Sequence, residues 1–232
     1  MTDKKKNLIV RSITGVLFVA IMVAGFLNSM AMILLFTIIY LLVSELYAKN
    51  RNAVTNMAYT MLGQMYIALP LALINVLAFK RDEYGNFSGY DMLLPLSVFI
   101  LLWANDSGAY CFGSMFGKHK LFPRISPGKT WEGSVGGGIF AVVIAGVIGI
   151  LANSGSEAHV LNVAQWLGLG AVVVVFGTWG DLVESLFKRT IGVKDSGKIL
   201  PGHGGMMDRF DSSLLAIPAA VLYLYTITLC MQ

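Results

Sequence analysis

The residues of this 232-residue chain that could do chemistry concentrate between Asp181 and Asp211. Five acids lie there (Asp181, Glu184, Asp195, Asp208 and Asp211) with five bases (Lys188, Arg189, Lys194, Lys198 and Arg209). Charge is about three times denser here than in the rest of the chain. A site for a polyanion alone would be all basic, whereas these acids and bases are equal in number and interleaved. Carboxylates are hard oxygen ligands of the kind Mg²⁺ takes, usually one or two at a time, with waters and substrate phosphates completing its shell. Lysine and arginine would neutralise the remaining phosphate charge. The combination points to Mg–nucleotide chemistry.

Spacing sharpens this. Asp181, Glu184, Ser185 and Lys188 stand at i, i+3, i+4 and i+7, one face of a helix. Both acids lie on the apolar side of Lys188, within Trp179-Gly-Asp-Leu-Val-Glu-Ser185. Ionised side chains are costly in hydrocarbon, so these should face a polar cavity or a cation. Pro201-Gly-His203-Gly204-Gly205 is too rich in glycine and proline for a helix, and its N–H groups could form a nest for phosphate oxygens. Upstream, Asp106 interrupts an apolar run, and Ser126-Pro-Gly-Lys129-Thr130 follows with donors for an anion. The spacing of a Walker A loop is absent there.

These residues need a scaffold, and composition says which. AVILMFWYC residues make up 56% of the chain and charged residues 13%, against ~25% in soluble domains. Mean hydropathy is +0.70. An ordinary cytosolic domain is excluded, and so is a disordered chain, which would be poor in such residues. The expected fold is an all-α, polytopic transmembrane bundle. At roughly 20 apolar residues per span, seven spans are expected: Leu8–Leu27, Met30–Tyr47, Met57–Phe79, Met92–Phe112, Ser134–Leu151, Ala164–Phe187 and Ser213–Met231. The first follows Lys4-Lys5-Lys6 without a clear small-residue cleavage site and reads as an anchor rather than a signal peptide. With the N-terminus inside, 15 of the 17 basic residues fall on the inner side, and only Lys80 and Arg81 outside. The positive-inside rule then predicts N-in and C-out, with the charged segments facing the cytosol. One membrane domain over 1–232 is expected, with catalytic motifs in 101–212 and a last span in 213–231. Cys111 and Cys230 form no disulfide framework and no zinc spacing.

The 27 residues from Ser185 to Asp211, including Lys188-Arg189, Lys194-Asp195, Pro201-Gly-His203-Gly204-Gly205 and Asp208-Arg209-Phe-Asp211, resemble the signature of phosphatidate cytidylyltransferases, the CDP-diacylglycerol synthases. Asp106–Tyr110 and Ser126–Gly133 resemble that family's upstream motifs, in the same order. The likeness covers about Trp103 to Asp211; the first ~100 residues match only as generic membrane helices. The family commonly has eight or nine spans, and the abrupt Asn28-Ser29-Met30 junction reads as though a pair were missing.

The resemblance implies that CTP and phosphatidate react to give CDP-diacylglycerol and pyrophosphate with Mg²⁺, in the inner or plasma membrane, and it suggests a homodimer. No nucleic-acid partner is expected. Asp181 and Asp208 are the expected Mg²⁺ ligands, and Asp211 a third ligand or the ligand of a second cation. Lys188, Arg189, Lys194 and Arg209 are candidates for phosphate oxygens, against simple inner-face anchoring. Ser126, Lys129 and Thr130 are candidate anion contacts, against a polar cap on the next helix. Asp106 would orient the base or hold a cation, against a structural hydrogen bond. Ser185, Asp195, His203, Gly204 and Gly205 complete the candidate substrate contacts. Two other classes stay open: a CTP-dependent lipid kinase, which would release CDP, and a cation transporter using Asp106, Asp181 and Glu184.

Overall fold

The computed structural model describes residues 29–47, 52–81, 87–154, 161–197 and 205–230. The expected first span, Leu8–Leu27, lies outside them, as do His203 and Gly204. The chain forms two compact units, Met1–Gly63 and Gln64–Gln232. In the first, α1 (Ser29–Tyr47) and α2 (Ala53–Gly63) pack together, and the Asn56 amide donates to Glu45 Oε2 at 3.4 Å.

The second unit carries the site. It opens with a π-helical turn, Gln64–Ala68, that runs into α3 (Leu69–Ala78). Pro70 lacks an N–H, so the Tyr66 carbonyl loses its ordinary α-helical partner, and the widened turn lies at that point. A hairpin of β1 (Phe79–Arg81) and β2 (Phe87–Tyr90) leads to α4 (Leu93–Phe116). A second hairpin follows, β3 (Lys120–Phe122) antiparallel to β4 (Ser126–Thr130), with Lys120 opposite Thr130 and Phe122 opposite Ser126. Then come α5 (Trp131–Ser154), α6 (Val163–Thr190), a 3₁₀ turn (Met207–Arg209) and α7 (Ser213–Cys230).

The architecture is mostly helical, as expected, but the hairpins correct the all-α reading. Pro127 and Gly128 cannot continue a helix, and an edge strand tolerates a proline. Among the described residues, three helical stretches are long and apolar enough to cross a membrane: Ala53–Ala78, Trp131–Ser154 and Val163–Thr190. The α4 helix has comparable length but carries Asn105 and Asp106 near its middle.

The core of this unit joins α4, α6 and α7 through Leu101, Trp166, Leu169, Val173 and Ile217, all fully buried. The α5 helix meets α4 along Gly133, Gly137 and Ala141, small residues four apart. At Gly137 a Cβ would stand 2.5 Å from both the Ala109 nitrogen and the Asn105 carbonyl oxygen, so only glycine permits this backbone approach. Large apolar side chains such as Ile139, Val143, Leu151 and Leu222 stay exposed. A water-soluble surface seldom shows so much apolar area, and a lipid-facing one requires it.

Candidate active site

The last turns of α6 supply the centre of the site. An N-terminal capping box between Asn162 and Gln165 starts this helix. Lys188 and Arg189 end it, where cations favour the helix dipole. The predicted face is present. Ser185 Oγ donates to Asp181 Oδ1 at 3.2 Å. The Lys188 ammonium stands 2.9 Å from Glu184 Oε2, one turn back, and 2.8 Å from Asp208 Oδ1. Glu184 is buried, 3% exposed, and its charge is tolerable there because Lys188 pairs with it.

Asp208 closes the segment after α6 back onto the helix. Its Oδ2 accepts from the Ser196 N–H at 2.9 Å and from the Gly205 N–H at 2.7 Å. Burial works against its ionisation, but the Lys188 ammonium and these N–H groups hold its carboxyl well below the usual range. Gly180 brings the next acid in. A Cβ on Gly180 would stand 2.7 Å from the Asp211 carbonyl oxygen, so the lack of one lets the chain before α7 lie against α6. Asp211 accepts from the Ser212 N–H at 2.6 Å. Burial first, and then the nearby charge of Asp181, pushes its carboxyl up to about 7.

The upstream motifs converge on the same helix. The β3–β4 hairpin places Lys129 in an ion pair with Asp181. These two face a cavity of about 420 Å³. Asn105, Asp106 and Tyr110 of α4 line one side, and Ser134 of α5 and Thr178 of α6 the other. Asp106 lies within electrostatic reach of Lys129 and Asp181. Two acids, an ammonium group and several hydroxyls therefore surround one pocket, as an anion carried with a cation would need.

The expected residues divide by where they sit. Asp106, Lys129, Thr130 and Asp181 line this cavity, and Ser185 holds Asp181. Thr130 is buried and its Oγ1 also accepts from the Gly133 N–H at 3.2 Å, so it caps α5. Ser126 pairs with Phe122 in the hairpin and is absent from the cavity wall. Arg189 Nε donates to the Ile125 carbonyl at 3.4 Å, tying α6 to the hairpin turn. Lys194, Asp195 and Arg209 are exposed beyond the end of α6. Gly205 serves Asp208 through its N–H.

The carboxylates do not converge as one three-acid cage. Among the described residues no three His, Cys, Asp or Glu side chains stand together as metal ligands. Asp208 faces Lys188 and two N–H groups, whereas Asp211, Asp181 and Asp106 influence one another electrostatically. Mg²⁺ needs only one or two protein carboxylates, so this donor set still fits it.

The structure adds residues that sequence reasoning did not place. Ser134, Thr178 and Tyr110 line the cavity. Glu132 accepts from the Lys118 and His119 N–H groups and pairs with His119 Nδ1 at 2.5 Å, anchoring the hairpin base. Tyr66, in the π-helical turn, packs edge-on to Phe187 with centroids 5.3 Å apart. Its hydroxyl is buried without a hydrogen-bond partner among the described residues and lies within electrostatic reach of Glu184, Asp211 and Lys188. No local spacing signals Tyr66, because it is more than 100 residues from the acids it approaches.

The sequence is similar to those of known proteins. The model of the cytidylyltransferase family matches residues 2–227. A phosphatidate cytidylyltransferase of Haemophilus influenzae is 45% identical over 143 residues, 62% of this chain and 49% of that protein. Those of Staphylococcus saprophyticus and Staphylococcus aureus are each 40% identical, over 173 and 171 residues, which is 74% of this chain and 60% of theirs. The chain thus spans about half to three-fifths of the length of these relatives. With the match running through both hairpins and all the helices around the cavity, the chain belongs to the cytidylyltransferase family.

Proposed function

We propose that this chain transfers a cytidylyl group from CTP to phosphatidate, giving CDP-diacylglycerol and pyrophosphate, at the cytosolic face of a bacterial plasma membrane. The observation that carries the reading is the Lys129–Asp181 pair facing a polar cavity on the helix that also bears the Lys188 bridge. Relatives named for this reaction support it. In the reaction a phosphatidate oxygen attacks the α-phosphorus of CTP, and the bond to the bridging oxygen of the pyrophosphate breaks. The attacking oxygen is already an anion, so no activated serine or cysteine is required. The barrier lies in bringing two anions together, and positioning with charge stabilisation lowers it.

Lys129 and Lys188 would turn to phosphate oxygens, with Ser134 and Thr178 as hydroxyl donors. Glu184 keeps Lys188 in place. Mg²⁺ would be held by Asp181 and Asp208, with Asp211 as a third ligand or the ligand of a second cation, and would neutralise charge on the departing pyrophosphate. The N-in, C-out orientation and a homodimer belong to the same proposal.

The test is incubation of membranes containing the protein with labelled CTP, phosphatidate and Mg²⁺, followed by identification of both products. CDP-diacylglycerol with pyrophosphate is expected. Release of CDP with a newly phosphorylated lipid would replace this reading by a lipid kinase.

A further inference from the structure

The polar cavity does not end at its hydroxyls. Ser134 of α5 and Thr178 of α6 also line a second, apolar groove of about 600 Å³ along the seam between these helices. Gly138 and Val174 form its floor, with Val135, Ile139 and Val175 beside them. Gly138 lets Val174 of the facing helix come close at this seam, since a Cβ there would stand 3.0 Å from Val174 Cγ1.

Length and polarity identify the occupant. Along α5 the groove extends from Trp131 to Val143, about 18 Å at 1.5 Å per residue. One leaflet is half of a hydrocarbon core ~30 Å thick, or about 15 Å. The end nearest the cavity carries Trp131 and Trp179, both exposed and suited to headgroup depth. The far end is Val143 and Ala171. Ile139 and Val143 are exposed along it, so the groove opens sideways. A slot that is polar and cationic at one end, apolar beyond, and one leaflet deep matches a single-chain segment of a membrane lipid phosphate. The other large apolar groove, about 630 Å³ beside Tyr66 and Pro218, shares no lining residue with the polar cavity.

We propose that the α5–α6 groove holds an acyl chain of the lipid phosphate substrate while its phosphate stands at Lys129, Ser134 and Thr178. This rests on the cytidylyl-transfer reading of the cavity. The test compares dioleoyl with dihexanoyl phosphatidate on full-length protein carrying Ala171→Trp or Val143→Trp, which fill the deep end. The expected result is a fall of ten-fold or more in kcat/KM for the long lipid, seen in KM. The short lipid should change less than two-fold and the KM for CTP should stay constant. Ile150→Trp, exposed on α5 beyond the groove, should change neither.

Equal losses on both lipids, or undiminished use of the long one, would overturn the proposal. Equal losses with an altered oligomeric state would show that a second copy covers the seam instead. A binding readout separates this from the reaction itself. A phosphatidate with a diazirine near its chain end should crosslink around Val143 and Ala171 whether or not turnover occurs, and labelling elsewhere would reject the groove. A parent protein that crosslinks there but makes no CDP-diacylglycerol would sink the reaction and leave the groove standing.

Discussion

Lys188 is the residue on which the site's charge balance turns, because one ammonium group serves both Glu184 and Asp208. Losing one partner of a buried pair strands the other, at a cost of about 3–5 kcal/mol. Lys188→Ala should therefore lower both the protein's thermal stability in detergent and its turnover, whereas Glu184→Gln combined with Lys188→Met should recover much of the stability but no turnover. Lys129 differs: it faces the cavity, where it pairs with Asp181. A charge-assisted hydrogen bond contributes about 1.5–3 kcal/mol. Lys129→Ala should raise KM for CTP or phosphatidate by roughly ten-fold to a hundred-fold, and unchanged kinetics for both would remove it from the site. The two proposed metal ligands can be told apart by titrating Mg²⁺. Asp181→Asn should raise the Mg²⁺ concentration needed for half-maximal turnover. If Asp208 ligates the cation, Asp208→Asn will do the same; if it only fastens the segment after α6, turnover will fall with the Mg²⁺ midpoint unmoved.

At the scale of elements, close backbone approach decides where the acids meet. Gly180 is the clearest instance. Glycine inside a helix costs about 1 kcal/mol relative to alanine, so Gly180→Ala would stabilise an isolated helix. Here its Cβ would press on the Asp211 carbonyl oxygen at 2.7 Å, and the backbone has little room to give. Gly180→Ala should cut turnover at least ten-fold with the protein still inserted in the membrane. Gly63→Ala, where a Cβ would meet nothing within 4 Å, should leave activity unchanged. Comparing the two variants' turnover at equal expression checks this. The β3–β4 hairpin acts similarly as a lever. Its base, held by Glu132 on His119, presents Lys129 to a helix more than 50 residues further along the chain.

Across the whole molecule, lipid and water each claim a part of the surface. The apolar exteriors of α5 and α6 face outward, and the charged ends of the helices gather with the hairpin at one end of the second unit. Under the proposed N-in, C-out orientation, the asymmetry of basic residues predicts that this end faces the cytosol. A reporter fused after Gln232 should accordingly read as non-cytoplasmic, and a cytoplasmic reading would change the span count by one.

Much of this was legible in the residues themselves. Hydropathy marked the helices, because lipid demands long apolar stretches whose backbone groups are satisfied internally. The Asp181, Glu184, Ser185, Lys188 face was legible because helical spacing is local geometry, and the structure keeps it intact. What spacing could not supply was partnership across the chain. That Lys129 pairs with Asp181, that Lys188 rather than Arg209 engages Asp208, and that Thr130 caps a helix all depend on which backbones approach one another. Those approaches depend in turn on glycines such as Gly137 and Gly180, whose importance lies in the atoms opposite them. Side-chain chemistry was written along the chain; the pairing of those side chains, and the hairpins that a purely helical reading omits, arose only when packing brought distant segments within contact.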